Sequence, residues 1–98
     1  GGGGGGNKDN GLFPSVNGWK WDAPPNAKKI KHSGEVEFTF VVTEDGEVLN
    51  IQIVHSSFTP AENQILKERL YETIFFQTSN GAPPAQTEGR LIWKIVAQ

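Results

Sequence analysis

The residue types that carry most enzyme chemistry are sparse in this 98-residue chain, which has two histidines, no cysteine and no methionine. His55 precedes Ser56 and Ser57, an order that invites a histidine-activated serine nucleophile. Neighbouring residues on a strand point to opposite faces, however, the glycine pattern of a nucleophile elbow is missing, and no third group is placed to orient the imidazole. An ordinary strand-end histidine is expected, and only a deep pocket gathering His55, both serines and a carboxylate would revive catalysis. His32 closes the run Lys28-Lys29-Ile30-Lys31-His32, which reads as a solvated lead-in to a strand before it reads as an anion site. Glu35 and Glu37 lie about 7 Å apart on one side of an extended segment, a superficial likeness to an acid pair, but charged residues are common on the solvent face of a half-buried strand.

Metal chemistry is equally unsupported, because two histidines with scattered carboxylates give no ligand spacing and the absence of cysteine removes thiolate sites and disulfides together. The run Gly1 to Gly6 follows no strand and lacks the Gly-Lys-Ser/Thr ending of a phosphate loop. The expectation is therefore no catalytic residue, no metal and no cofactor: not an enzyme. A formal charge of −2 and a pI near 5.6 give no electrostatic footprint for a phosphate backbone, so nucleic acid is not an expected partner. No apolar run of about 18 residues and no secretory leader pattern occur, so the domain itself reads as soluble.

The elements that must position whatever function remains begin after a glycine-rich stretch. Residues 1–11 contain no apolar side chain and read as a flexible linker, native or an expression scar, leaving residues 12–98 as one compact domain. Since the chain opens in linker-like sequence and without Met, it reads as a fragment of a longer protein. From Leu12 to Ser33 an irregular aromatic arm is expected: Trp19 and Trp21 share a face in an extended segment, and Pro24-Pro25 exclude a helix.

Val36, Phe38, Phe40 and Val42 then alternate with polar residues as in a half-buried strand. Glu44-Asp45-Gly46 signals a turn, and Val48 to Val54, with Leu49, Ile51 and Ile53 alternating, completes a hairpin. Thr59-Pro60-Ala61-Glu62 is a capping box with proline at the first helical position, followed by Ala61, Ile65, Leu66, Leu70, Thr73 and Ile74 on one helical face. A helix from Pro60 to about Ile74 should cover the sheet. Gln77 to Glu88, with Asn80-Gly81 and Pro83-Pro84, reads as a loop. Arg90 to Val96 is the last strand, with Leu91, Trp93 and Ile95 inward. The fold class is thus α+β: a three-stranded antiparallel sheet with one main helix on one face, a ββαβ core and an aromatic N-terminal arm. Such a sheet leaves edges, and the last strand, separated from the hairpin by the helix, is expected to finish at a border. A module that accepts a partner's strand by β-augmentation is the physical hypothesis.

Several motifs, in order, resemble a known family. Gly18-Trp19-Lys20-Trp21-Asp22 ahead of Pro24-Pro25, Gly34 to Val42, Asp45-Gly46-Glu47-Val48, Ser56-Ser57, Phe75-Phe76, the Pro83-Pro84 loop and Gly89 to Ile95 together resemble the C-terminal domain of TonB energy transducers, in the style found in Bacteroidetes. The resemblance runs from Leu12 onward. It implies a periplasmic domain of a protein anchored in the inner membrane by an N-terminal helix outside this sequence. It also implies proton-motive force drawn from an ExbB/ExbD-type membrane complex through that N-terminal part. The partner implied is the TonB box peptide of outer-membrane TonB-dependent transporters for siderophores, cobalamin or glycans.

In that family the box adds as a strand beside the last strand, here Arg90, Leu91, Ile92, Trp93, Lys94, Ile95 and Val96; Trp19, Trp21, Pro24 and Pro25 are the structural arm already read from their spacing. The Tyr-Pro motif of the proteobacterial form is absent, and glycines stand where a proline-rich spacer is usual. A TolA-like envelope-integrity domain or a sensor interaction domain would share the layout, and an unpaired edge strand could also close on a copy of itself as a homodimer.

Overall fold

Alternation from Gly34 onward builds the centre of the molecule. In the computed structural model, which describes residues 11–78 and 80–96, strand β3 spans Gly34–Thr43 and buries Val36, Phe38, Phe40 and Val42 on one face. The remaining elements are β1 (Gly11–Ser15), β2 (Trp19–Trp21), β4 (Val48–Ser56), α1 (Pro60–Tyr71), β5 (Phe75–Gln77) and β6 (Gln86–Ile95). Strands β1, β6, β3 and β4, in that order, form a four-stranded antiparallel sheet, and β2 and β5 pair as a second, two-stranded sheet.

The three-stranded expectation is thus corrected to four strands plus a small second sheet, within the same mixed fold of one helix and antiparallel strands. The additional pairs come from segments expected to be irregular. Residues 11–15 line up along β6, and Trp19–Trp21 meets Phe75–Gln77, the segment between the expected end of the helix and the expected loop. The expected linker 1–11 lies outside the described residues except for Gly11, which opens β1.

The β3–β4 connection follows the sequence closely. Gly46 adopts φ +87°, its N–H donates to the Thr43 carbonyl at 2.9 Å, and the Thr43 N–H donates to Glu47. Strand β4 departs from simple alternation: its register against β3 shifts twice, and Asn50 sits at φ +53°. Val48 and Ile51 therefore point inward, while Ile53, expected inward, is exposed. Bulges of this kind twist a strand and re-aim its side chains.

Helix α1 begins as read, with the Thr59 hydroxyl accepting from Glu62 N–H and the Glu62 carboxylate accepting from Thr59 N–H. It ends at Tyr71, about a turn earlier than expected, with Glu72 as its C-cap. Thr73 is buried and its hydroxyl donates to the Arg69 carbonyl, whereas Ile74 is exposed and its carbonyl accepts from Asp22 N–H. Capture of the chain by β2 outweighs another turn of helix in a stretch of β-branched and aromatic residues, which are indifferent helix formers.

Leu66 and Leu70 place the helix in one core with Val36, Phe38, Leu91, Trp93 and Ile95. Across the β3–β6 pair, Val36 faces Trp93 and Phe38 faces Leu91, all with 1 % exposure or less. Each such side chain stabilises by about 1.5–3 kcal/mol on full burial. Phe40 faces Gly89, where a Cβ would meet the Phe40 ring at 2.7 Å and the Val16 methyl at 2.8 Å, so the absent side chain is what lets the ring lie across β6. The ring of Phe75 stacks on Phe40 at 5.8 Å and lies 5.9 Å from Trp21, joining the small sheet to the large one.

Candidate functional site

The residues first considered for catalysis are engaged in structure. Ser56 Oγ donates to Asn63 Oδ1 at 2.5 Å and accepts from Phe58 N–H, while Ser57 Oγ accepts from Glu35 N–H at 2.9 Å and donates back to the Glu35 carbonyl. These hydroxyls tie the end of β4 to β3 and to the helix entrance. His55 faces elsewhere, with Nε2 at 3.2 Å from Glu37 Oε1. His32 Nδ1 lies 2.6 Å from Glu62 Oε2, which fastens the basic run to the helix N-terminus. The hydrogen bond from His32, with those from Thr59, holds the Glu62 carboxyl below its ordinary value.

Glu37 instead bridges three strands on the open face of the sheet. Its other oxygen lies 3.1 Å from Arg90 Nε on β6, so the carboxylate, largely covered, links β4 to β6 across β3. Glu35 stands on the same face one pleat away, opposite Lys94. The two carboxylates thus read as strand-pairing charges. Thr39, Val41, Asn50, Gln52, Glu88, Arg90 and Ser15 border a shallow cavity of about 530 Å³ on that face.

The expected partner-binding residues Arg90 to Ile95 form the C-terminal part of β6, which begins earlier, at Gln86, within the stretch expected to be a loop. Leu91, Trp93 and Ile95 are core residues, Arg90 and Lys94 are exposed on the open face, and Ile92 lies between them, partly buried. Val96 follows the strand and is 37 % exposed. Strand β6 is not at a border. Its two neighbours are β3 and, on the side where a border was expected, β1, in the register Gly11↔Lys94, Leu12↔Trp93, Phe13↔Ile92, Pro14↔Leu91 and Ser15↔Arg90. The sheet's actual borders are β1 and β4.

The two borders differ. β4 exposes Ile53 and Val54, which would favour a partner strand, but its bulges break the ladder and discourage pairing along its length. β1 is five residues long and contains Pro14, which only an edge strand accommodates readily. Sequence reasoning passed over β1 because one apolar pair followed by proline is too short to show periodicity, and its partner lies nearly the whole chain away. Leu12, Phe13 and the buried Val16 were the signal available.

The arm is present and packed. Trp19 is 9 % exposed and its Nε1 donates to Thr87 Oγ1 at 3.1 Å; Trp21 is partly buried against Phe75. Pro24 and Pro25 border a second cavity, of about 260 Å³, with Arg69, Glu72 and Thr73 at the end of the helix. No helix among the described residues is long and apolar enough to cross a membrane.

Residues 24–68 match the family model of the Gram-negative bacterial TonB protein C-terminal. The matched stretch holds Pro24-Pro25, the β3–β4 hairpin and most of α1, so the likeness read from the motifs stands on an independent match. The fold agrees. The solution NMR structure of the TonB C-terminal domain of Pseudomonas aeruginosa superposes with a TM-score of 0.62 at 16% identity, covering 84% of this chain and 90% of that one. No curated protein matches. TonB C-terminal domains are periplasmic, non-catalytic interaction domains, and the chain carries their fold.

Proposed function

We propose that this domain is the periplasmic C-terminal domain of a TonB-type energy transducer, binding the TonB box of outer-membrane transporters by strand addition and transmitting a pull powered by proton-motive force. The observation that carries the reading is the match over residues 24–68, joined to a sheet whose last strand, β6, has only a short proline-containing strand on its outer side. Backbone hydrogen bonds along a strand suit the task, because they accept varied side chains and share a load applied along the strand. On this reading the box lies beside Arg90, Leu91, Ile92, Trp93, Lys94, Ile95 and Val96. On the same reading residues 12–98 are the functional domain and 1–11 the tether, with Gly11 drawn into β1, and the inner-membrane anchor and its ExbB/ExbD-type partner belong to a part of the protein outside this sequence.

The test is titration of the 15N-labelled domain with peptides copied from the plug N-termini of the same organism's transporters. Saturable shifts of the backbone amides of β6 and β1 are expected. Shifts confined to other elements, or none at millimolar peptide, would remove the reading.

A further inference from the structure

We infer that β1 is an exchangeable internal occupant of the β6 edge, a self-peptide that an incoming strand must displace. This rests on the strand-addition reading above and adds where the strand enters, what it competes with and what its side chains must be.

Every residue of β1 is partly buried or exposed, none fully buried. Leu12 alone of the five packs against the core; Phe13 is 56 % exposed on the open face, and Gly11, Pro14 and Ser15 carry little or no apolar bulk inward. The next residue is different. Val16 is 9 % exposed, lies against Gly89 within the core that holds Phe40, and its carbonyl accepts from Trp19 N–H at 3.1 Å. The chain is therefore pinned at Val16, and a hinge at Ser15–Val16 would release β1 without opening the core. Strand β6 does not depend on β1 for its place, since Leu91, Trp93 and Ile95 are held through β3 and the helix. What β1 supplies is backbone pairing and one apolar side chain, which any extended peptide of suitable pattern supplies as well.

The register defines that pattern. The entering strand needs an apolar residue opposite Trp93, turned to the core where Leu12 sits, and beside it a bulky apolar residue opposite Ile92 on the open face, where Phe13 sits. Arg90 and Lys94 flank the latter on that face, so acidic or small residues fit two positions to either side. The apparent affinity of such a peptide is its intrinsic affinity reduced by the fraction of molecules in which the edge is open.

The experiment uses the full chain and a fluorescent probe peptide copying residues 10–16. Leu12→Ser weakens the internal strand and should tighten probe binding by about tenfold or more. Phe13→Cys with Ile92→Cys places two thiols opposite each other in an antiparallel pair of a chain that otherwise lacks cysteine. Oxidised, this variant should lose probe binding; reduced, it should regain it, with amide spectra confirming the fold in both states. Equal binding in both states would place addition at another edge and overturn the inference, as would failure of the probe to bind any variant. Transporter peptides run in parallel separate the two readings. Probe exchange without transporter-peptide binding supports an exchangeable β1 and removes TonB box recognition, whereas transporter peptides that bind the oxidised chain support recognition and overturn displacement.

Discussion

Replacing Gly46 by Ala tests how the two sheets are joined. Gly46 occupies φ +87° in the β3–β4 turn, and its carbonyl accepts from Phe75 N–H at 2.9 Å. A Cβ at this position would overlap the Phe75 carbonyl oxygen, a backbone atom that cannot swing aside as a side-chain tip can. Two costs follow. The left-handed conformation penalises an L-residue by about 1–2 kcal/mol. Relief of the overlap moves the turn off β5, straining packing by about 1–3 kcal/mol and weakening a hydrogen bond of about 1 kcal/mol.

Gly18 supplies the control, since it has φ +86° and nothing within 4 Å of the Cβ position. Gly18→Ala should therefore show the dihedral cost alone. Gly46→Ala should lose about 3–6 kcal/mol, and Gly46→Asn should recover only the dihedral part, because asparagine tolerates the left-handed region but still carries a Cβ. For a domain of this size each kcal/mol moves Tm by about 4–8 °C, so thermal melts resolve the two positions easily. Equal losses at Gly18 and Gly46 would refute the close approach between the hairpin turn and β5.

Trp19→Ala should destabilise by about 3–5 kcal/mol in urea unfolding, while Trp21→Ala, only partly buried, should cost about 1–2 kcal/mol; equal small losses would mean that the arm is not packed. Removing the bridge with Glu37→Gln should cost about 0.5–1 kcal/mol at low salt and almost nothing in 1 M NaCl, because both partners are well exposed. Glu62 has its folded-state pKa lowered, so its contribution is present above the unfolded carboxylate value and lost as pH falls through the folded value. Glu62→Gln should accordingly flatten part of the acid side of the stability–pH curve, measured as the urea midpoint across the acidic range.

The hairpin, the helix start and the inward residues of β6 were legible because each has a local cause. Alternation fixes the inner face of β3, glycine fixes the turn at Gly46, and Thr59 with Glu62 fixes the helix N-terminus. What escaped were pairings between distant short segments. Trp19–Trp21 and Phe75–Gln77 are three residues each, too short for a period, and the second lies between the expected helix and the expected loop, where only tertiary pairing makes a strand. The bulges of β4 turned Ile53 outward for a similar reason, since register is a property of two strands and alternation of one. The candidate site divides along the same line: Arg90 to Val96 could be named from the sequence, but not that residues 11–15 lie along their outer edge.

The central claim, that a partner strand adds along β6, is tested most directly by intermolecular NOEs in a complex of the labelled domain with a transporter-derived peptide. Backbone contacts are expected from the peptide to successive residues of Arg90 to Ile95 on the side held by Gly11–Ser15 in the free domain, with the β1–β6 NOEs lost. Peptide contacts along β4, with the β1–β6 NOEs intact, would contradict it.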